Sequence, residues 1–203
     1  MRSIALQADG KIVVAGAFFS SVSGTTATIV RRLNADGTLD ASFNSPLNVA
    51  PVLSLNTSAT VWAVQADGKV IVSVFSSQTN LKGNSIYRLN ADGTIDNSFT
   101  KIDFTYSRSL YDNLIKVVVL PDGKLLAATN VYSLSSSGRL RRFNSEGTLD
   151  AAFEQPIFAG NTNSESNRLN DFEVFADGSI VVAGVFNTVN GVSRVNVVKL
   201  QPT

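Results

Sequence analysis

The eleven-residue stretch Leu33–Phe43, LNADGTLDASF, constrains this chain more than any other feature, because it recurs. It returns at 89–99 as LNADGTIDNSF, identical at nine of eleven positions, and more loosely at 143–153 as FNSEGTLDAAF. A second motif precedes each copy: IALQADGKIVVAG at 4–16, WAVQADGKVIVSV at 62–74, VVVLPDGKLLAAT at 117–129 and FEVFADGSIVVAG at 172–184. Its Asp-Gly pairs begin at 9, 67, 122 and 177, in steps of 58, 55 and 55 residues. The acidic-Gly pairs of the first motif, at 36, 92 and 146, step by 56 and 54. A fixed period sets architecture before any other signal is weighed. Here it predicts three full repeats and most of a fourth.

Each motif reads as two β-prone runs joined by a tight turn. In Gln7-Ala8-Asp9-Gly10 and Asn34-Ala35-Asp36-Gly37 the glycine suits a left-handed conformation after a type I turn, closing a bulged hairpin. Pro121 stands in the alanine slot of the third repeat, where φ near −65° is wanted. The seven turns are therefore expected to be mechanical parts of hairpins.

Flanking residues keep a period of two. Ile4, Trp62, Val117 and Phe172 share one equivalent site and Leu6, Val64, Val119 and Val174 another, both expected in the core. That equivalence favours core over a sugar-stacking role for Trp62, the single tryptophan. The runs after the turns (Ile12-Val13-Val14, Val70-Ile71-Val72, Leu125-Leu126, Ile180-Val181-Val182) are apolar on successive residues, as in sheets covered on both faces. No segment carries helical spacing over ten residues. The expected fold is all-β: a β-propeller-like array of four-stranded antiparallel blades, strands a to d, with about four blades and the last incomplete. A β-solenoid is the runner-up, though its coils are usually much shorter. Blades are expected at about 1–44, 58–100, 113–154 and 168–203 of a single repeat domain spanning 1–203, joined by variable connections.

Repeats of the form QPDGKILVGG-F … RLN-DGTLD-SF resemble the delta-60 repeat, and the match runs over residues 3 to 200. The resemblance implies a β-propeller-like fold in bacterial and phage proteins and names no activity.

Composition narrows the chemistry. The 203 residues include no Cys and no His, which removes thiol chemistry, Ser-His-Asp catalysis and most transition-metal sites. Net charge is +1, so no global field draws the chain to nucleic acid, and no apolar run is long enough for a membrane helix. Charged residues make up only 16%, with Ser, Thr and Asn in their place, a leaning that fits an extracellular setting on a bacterial surface or virion.

Meander geometry sets all the Asp-Gly turns on one face. The opposite face would carry the dissimilar connections 19–28, 76–85, 132–138 and 187–195 within blades, and 44–60, 100–113 and 154–168 between them. Variable loops on a rigid scaffold are where recognition concentrates. Tyr106, Arg108 and Tyr111 in the second-to-third connection are the candidate binding residues for a protein or glycan surface. Register across the c–d turn pairs Arg32 with Asp40, Arg88 with Asp96 and Arg142 with Asp150, as structural stitches worth about 1 kcal/mol or less each if exposed. The fourth repeat has Lys199 but no matching Asp before Gln201-Pro202-Thr203, so another copy or a neighbouring chain is expected to complete that blade.

The oxygens of Asn34, Asp36, Thr38 and Asp40 fall at offsets like the middle of a calcium loop, but the first Asp and the terminal Glu are missing. Calcium is therefore the one cofactor worth testing, against a plain turn. The non-repeated acids Asp103, Asp112, Asp171 and Glu173 share no spacing that would make a glycosidase pair. These features point to a non-catalytic recognition or adhesion module, with a purely structural segment of a larger surface or phage assembly as the alternative. A carboxylate-based glycan-active enzyme ranks below both.

Overall fold

The computed structural model describes residues 3–20, 25–47, 49–53, 58–78, 81–106, 111–132, 137–160 and 167–201. Among these residues every regular element is a β-strand. The chain divides into two compact units, Met1–Thr105 and Tyr106–Thr203.

The first unit holds two four-stranded sheets. One is ordered β1 (Ser3–Leu6), β2 (Ile12–Ser20), β3 (Thr25–Leu33) and β4 (Val49–Leu53). The other is ordered β5 (Ser58–Val64), β6 (Val70–Gln78), β7 (Leu81–Leu89) and β8 (Ile102–Tyr106). In the second unit β9 (Tyr111–Val119), β10 (Leu125–Tyr132) and β11 (Ser137–Phe143) form a three-stranded sheet. A short strand, β12 (Phe158–Ala159), follows it. The last repeat forms β13 (Arg168–Val174), β14 (Ile180–Val185) and, further on, β17 (Val197–Leu200). Between β14 and β17 lies a small hairpin, β15 (Thr188–Val189) and β16 (Val192–Ser193), whose first strand pairs with β12. The repeated antiparallel blades and the all-β class follow the periodicity of the sequence.

All seven turn glycines lie at φ between 79° and 88°. Each turn closes with the glycine amide on the carbonyl three residues back, as Gly10 N–H does on Gln7 O at 3.0 Å and Gly37 N–H on Asn34 O at 2.9 Å. The outer bond of the bulge is also present, from Asn34 N–H to Thr38 O at 2.8 Å.

Three expectations need correction. The strand expected directly after the c–d turn is only a single bridge, Leu33 to Leu39, with counterparts at Leu89–Ile95 and Phe143–Leu149. Asp40 ends it: its carboxylate accepts the Ser42 amide and the Phe43 amide bonds back to the Asp40 carbonyl, so the chain turns again at once. The fourth strands β4 and β8 instead come from the segments 44–60 and 100–113, read from the sequence as variable connections. Likewise 19–28 and 76–85 are mostly paired strand, up to Ser20–Thr25 and Gln78–Leu81. Their Phe, Thr and Ser residues continue the ladder.

The third correction concerns the core. Ile4 and Leu6 are 73% and 71% exposed, because Ala5 rather than its neighbours shares the buried face with Val13 and Ala15. Val117 and Phe172 at the equivalent sites are buried. Trp62 is half-buried, sits in a bulge and donates its indole N–H to Ser73 Oγ at 2.9 Å.

Apolar residues collect where one sheet lies on the next within each unit. In the first unit Val13, Ala15, Val30 and Phe43 meet Ala59, Val61, Val70, Val72 and Leu89. In the second, Leu126, Ala128, Leu140 and Phe153 meet Leu169, Phe172, Ile180, Val182 and Val198. Polar bonds reinforce the first contact: Arg32 Nη1 donates to Ala91 O at 2.6 Å, Asn44 N–H to Asp92 O at 2.8 Å, and Val61 N–H to Ser3 Oγ at 2.7 Å. In the second unit, bulging of β13 between Leu169 and Asp171 breaks its ladder, and the buried Asn130 side chain substitutes for a strand. Its amide donates to Leu169 O at 2.9 Å and accepts from Leu169 N–H at 2.8 Å.

Gly93 and Gly37 share a backbone conformation but not an environment. A methyl at Gly93 would lie 2.9 Å from Asn44 N and 3.0 Å from the Phe43 ring, whereas one at Gly37 meets nothing within 4 Å. Gly37→Ala is expected to cost about 1–2 kcal/mol, the left-handed penalty alone. Gly93→Ala should cost a further 1–3 kcal/mol or so from overpacking against the neighbouring blade. Urea unfolding of the two variants measures the difference, and equal costs would mean that the Phe43 contact contributes nothing.

Candidate functional site

The repeated charges come first, since they are the densest chemistry in the chain. The expected cross-strand register is present: Asp40 N–H donates to Arg32 O at 2.9 Å, and Arg32 Nε to Asp40 Oδ2 at 2.8 Å. Arg88 Nε reaches Asp96 at 2.6 Å and Arg142 Nε reaches Asp150 at 2.7 Å. These pairs are buried, with Asp40, Asp96 and Asp150 at 7%, 5% and 6% exposure.

A third residue, which the register argument missed, joins each pair. The lysine of the a–b turn reaches across to the same carboxylate oxygen: Lys11 to Asp40 at 2.8 Å, Lys69 to Asp96 at 3.0 Å and Lys124 to Asp150 at 2.9 Å. The other oxygen takes the amide two residues on, with the Ser42 or Ser98 hydroxyl added in the first two repeats. Each guanidinium then lies over the phenylalanine that ends the motif, at 5.0 Å for Phe43, 4.9 Å for Phe99 and 4.8 Å for Phe153. In the fourth repeat Ser179 stands in place of the lysine. There Lys199 lies over Phe175 and 3.6 Å from Asp177, with both charges exposed.

The electrostatics fit a clasp. Lys11, then the Ser42 hydroxyl and amide, hold the Asp40 carboxyl far below the usual carboxylate range. At Asp96 burial would raise the carboxyl, but Ser98, Lys69 and Arg88 together outweigh it. Lys124 and Arg142 lower Asp150 to about 2. The calcium-like offsets are likewise spoken for. Thr38 donates both amide and hydroxyl to Asp36 Oδ1, at 2.9 and 2.6 Å, Asn34 bonds to Thr38, and Asp40 belongs to the clasp. Among the described residues no group of three or more His, Cys, Asp or Glu side chains is placed to hold a metal ion.

Of the non-repeated acids, Asp103 is held by Lys101 at 2.9 Å and Ser85 at 2.6 Å. Asp171 and Glu173 come together on the exposed face of β13, where Lys116 of β9 bonds to both. Lys116 lies 5.4 Å over Phe172, and its ammonium is raised by the two carboxylates against the effect of burial. A lysine kept charged in this way braces two blades and is no general base. The side chain of Asp112 lies outside the described residues, as do Arg108 and the side chains of Tyr106 and Tyr111.

Among the described residues, clefts lie between successive a–b turns. In the first unit Leu6–Asp9 and Val64–Gly68 enclose a cleft of about 370 Å³. In the second, the turns at 120–122 and 174–178, with Leu126, Arg142 and Ile180, enclose one of about 250 Å³. Both are built on the same bulged turns, and one position changes their character: the residue opening each turn is Gln7 and Gln65 in the first unit, Leu120 and Phe175 in the second. Phe175 is 51% exposed. Of the opposite, loop-bearing face expected to carry recognition, residues 107–110, 133–136 and 161–166 lie outside the described ones.

A family model described as a domain of unknown function (DUF5122), β-propeller, matches residues 7–43, 65–99, 120–153 and 176–203. The chain belongs to the DUF5122 β-propeller family. The matched segments carry the repeated turns and the three clasps described above. None of the curated proteins compared with the chain matches it. Among solved structures, a GH43 endo-arabinanase from Bacillus licheniformis is similar over 98% of this chain and 72% of that one, at 14% identity and a TM-score of 0.40. That level of likeness says nothing of activity in the DUF5122 chain.

The clasps are expected to make the fold of this chain sensitive to acid. Each folded carboxyl titrates below its unfolded value near 4, so as pH falls the unfolded chain takes up protons first. Clasp stabilisation is complete above about pH 5 and is lost between about pH 4 and the folded value near 2 for Asp150. Asp150→Asn should flatten that dependence. Asp96→Asn should lower the melting temperature by roughly 5–15 °C at neutral pH, leaving Arg88 and Lys69 without their shared anion. Asp92→Asn, in the exposed turn, should cost about 4 °C or less. Thermal melts across the acid range check all three, and equal effects at positions 92 and 96 would remove the clasp from its structural role.

Proposed function

We propose that this chain is a non-catalytic recognition module, built of delta-60-type repeats, that binds a glycan or protein surface in an extracellular setting on a bacterial cell or virion. One observation carries the reading. Two clefts rest on near-identical turns, each with aspartate in its lining, yet the residue opening each turn is glutamine in one and leucine or phenylalanine in the other. A scaffold held constant while its lining varies is the arrangement of a binding module. The repeated acids, the obvious source of acid–base chemistry, are engaged in buried clasps with lowered carboxyl pKa values. In the same reading another copy or a neighbouring chain adds a strand beside β17, the edge strand of the three-stranded fourth sheet, where Val197 is exposed.

A half-exposed phenylalanine against leucine and proline is a surface on which a sugar ring or apolar side chain stacks. The isolated chain is expected to bind a glycan array or bacterial envelope preparation saturably, and Phe175→Ala should weaken that binding about tenfold with little change in melting temperature. Absence of binding in both assays, with the turn-bearing face covered in an intact particle, would favour a purely structural segment instead.

A further inference from the structure

Within each unit one sheet lies on the next through the same places in the repeat. In the first unit the cross-strand pair Ala15 and Val30 of one sheet is covered by the pair Val61 and Val72 of the other. In the second unit Ala128 and Leu140 are covered by Phe172 and Val182. All eight residues are 6% exposed or less. Each contact thus has a contributing face and a receiving face, and the chain holds one further face of each kind. The receiving positions of the first sheet are Ile4, paired with Val14, and Leu6, which stands where Val64 and Val174 pack on the cores of their units. Ile4 and Leu6 are 73% and 71% exposed. The contributing positions of the fourth sheet are the pair Ala183 and Val197, and Val197 is 55% exposed where Val30 and Leu140 are fully buried. Apolar side chains that the repeat buries elsewhere therefore face water at these two places.

We infer that the open face of the fourth sheet in one copy of this chain packs on the open face of the first sheet in another copy, head to tail. The occupant is a second copy because each open face has its complement in the repeat itself, in contacts already formed twice within the chain. Charge follows the same plan. In the first unit Arg32 Nη1 donates across the contact to Ala91 O, beside Asp92, at 2.6 Å. Register places Lys199 where Arg32 stands, opposite Val181 as Arg32 is opposite Val13. Asp36 holds the place of Asp92 in the first repeat, and both Lys199 and Asp36 are exposed. The two open faces therefore carry opposite charges at matching places. Because the faces differ from each other, the contact closes into a ring of copies or runs on as an open row. It uses the faces of the sheets, not the edge of β17, and goes beyond the recognition reading, on which it does not depend.

Sedimentation of the whole chain over a range of concentrations should show reversible association. Leu6→Lys spoils only the receiving face and Val197→Lys only the contributing face, and each variant alone should be monomeric, since a lysine buried there has no partner. Mixed, the two should form a one-to-one pair, because each supplies the face the other has lost. Both side chains are exposed, so the melting temperatures should stay close to that of the unaltered chain. Should Val197→Lys fail to fold, Val197→Thr keeps the branched shape and should weaken association about tenfold. An unaltered chain that stays monomeric, or a mixture of the two variants that does not pair, would overturn the contact. Association that survives Leu6→Lys would overturn it as well and would point to strand addition beside β17. None of these results touches envelope binding through Phe175, so the recognition reading stands or falls separately.

Discussion

A single buried carboxylate, shared between two hairpins, is the interaction on which the rest of each of the first three blades depends. Asp40 sits after the c–d turn and draws Arg32 from its own hairpin and Lys11 from the a–b hairpin 29 residues earlier. One anion therefore adds a directional side-chain tie between two hairpins that the β2–β3 ladder already pairs. Its cost is the desolvation of three charges, and it is met because every oxygen is engaged, by two cations on one side and the Ser42 amide and hydroxyl on the other. Partial versions are unstable in principle, since any one partner alone would be a buried unpaired charge.

From the clasp, order spreads outward. The guanidinium covers the motif's phenylalanine, and in the first unit its free arm reaches the turn of the next blade, so one residue serves the hairpin, the core and the blade contact. Where the ladder fails, a side chain replaces it, as Asn130 does for Leu169 at the β13 bulge. That bulge also turns Asp171 outward to meet Lys116. A frame held by directional bonds in its interior tolerates change at the residues opening the turns, and this is where the two clefts diverge.

Much of this frame was legible in advance for a local reason. The φ of a turn glycine, the closing bond of a bulged hairpin and the residue opposite Arg32 are decided within about nine residues of chain, where backbone sterics and register leave few options. The lysine of the clasp was not legible, because register says nothing about which hairpin lies beside which. Nor was the exposure of Ile4, since alternation tells two faces apart without saying which is covered. The fourth strands were misplaced because Asp40 offers its carboxylate to the backbone, and such a side chain can end a ladder that strand propensity would continue.

By itself the sequence determined an all-β chain of repeated, bulged hairpins with one arginine–aspartate pair in each of three repeats. Periodicity, turn chemistry and the absence of His and Cys suffice for that, each being a property of nearby residues or of composition. Tertiary structure alone decided that the pairs are buried and gain a lysine, that β4 and β8 come from the connecting segments, and that Gln7 meets Gln65 across a cleft. Those outcomes depend on which surfaces are brought together when apolar faces leave water. Residues 58 positions apart can then share one site that no local rule connects.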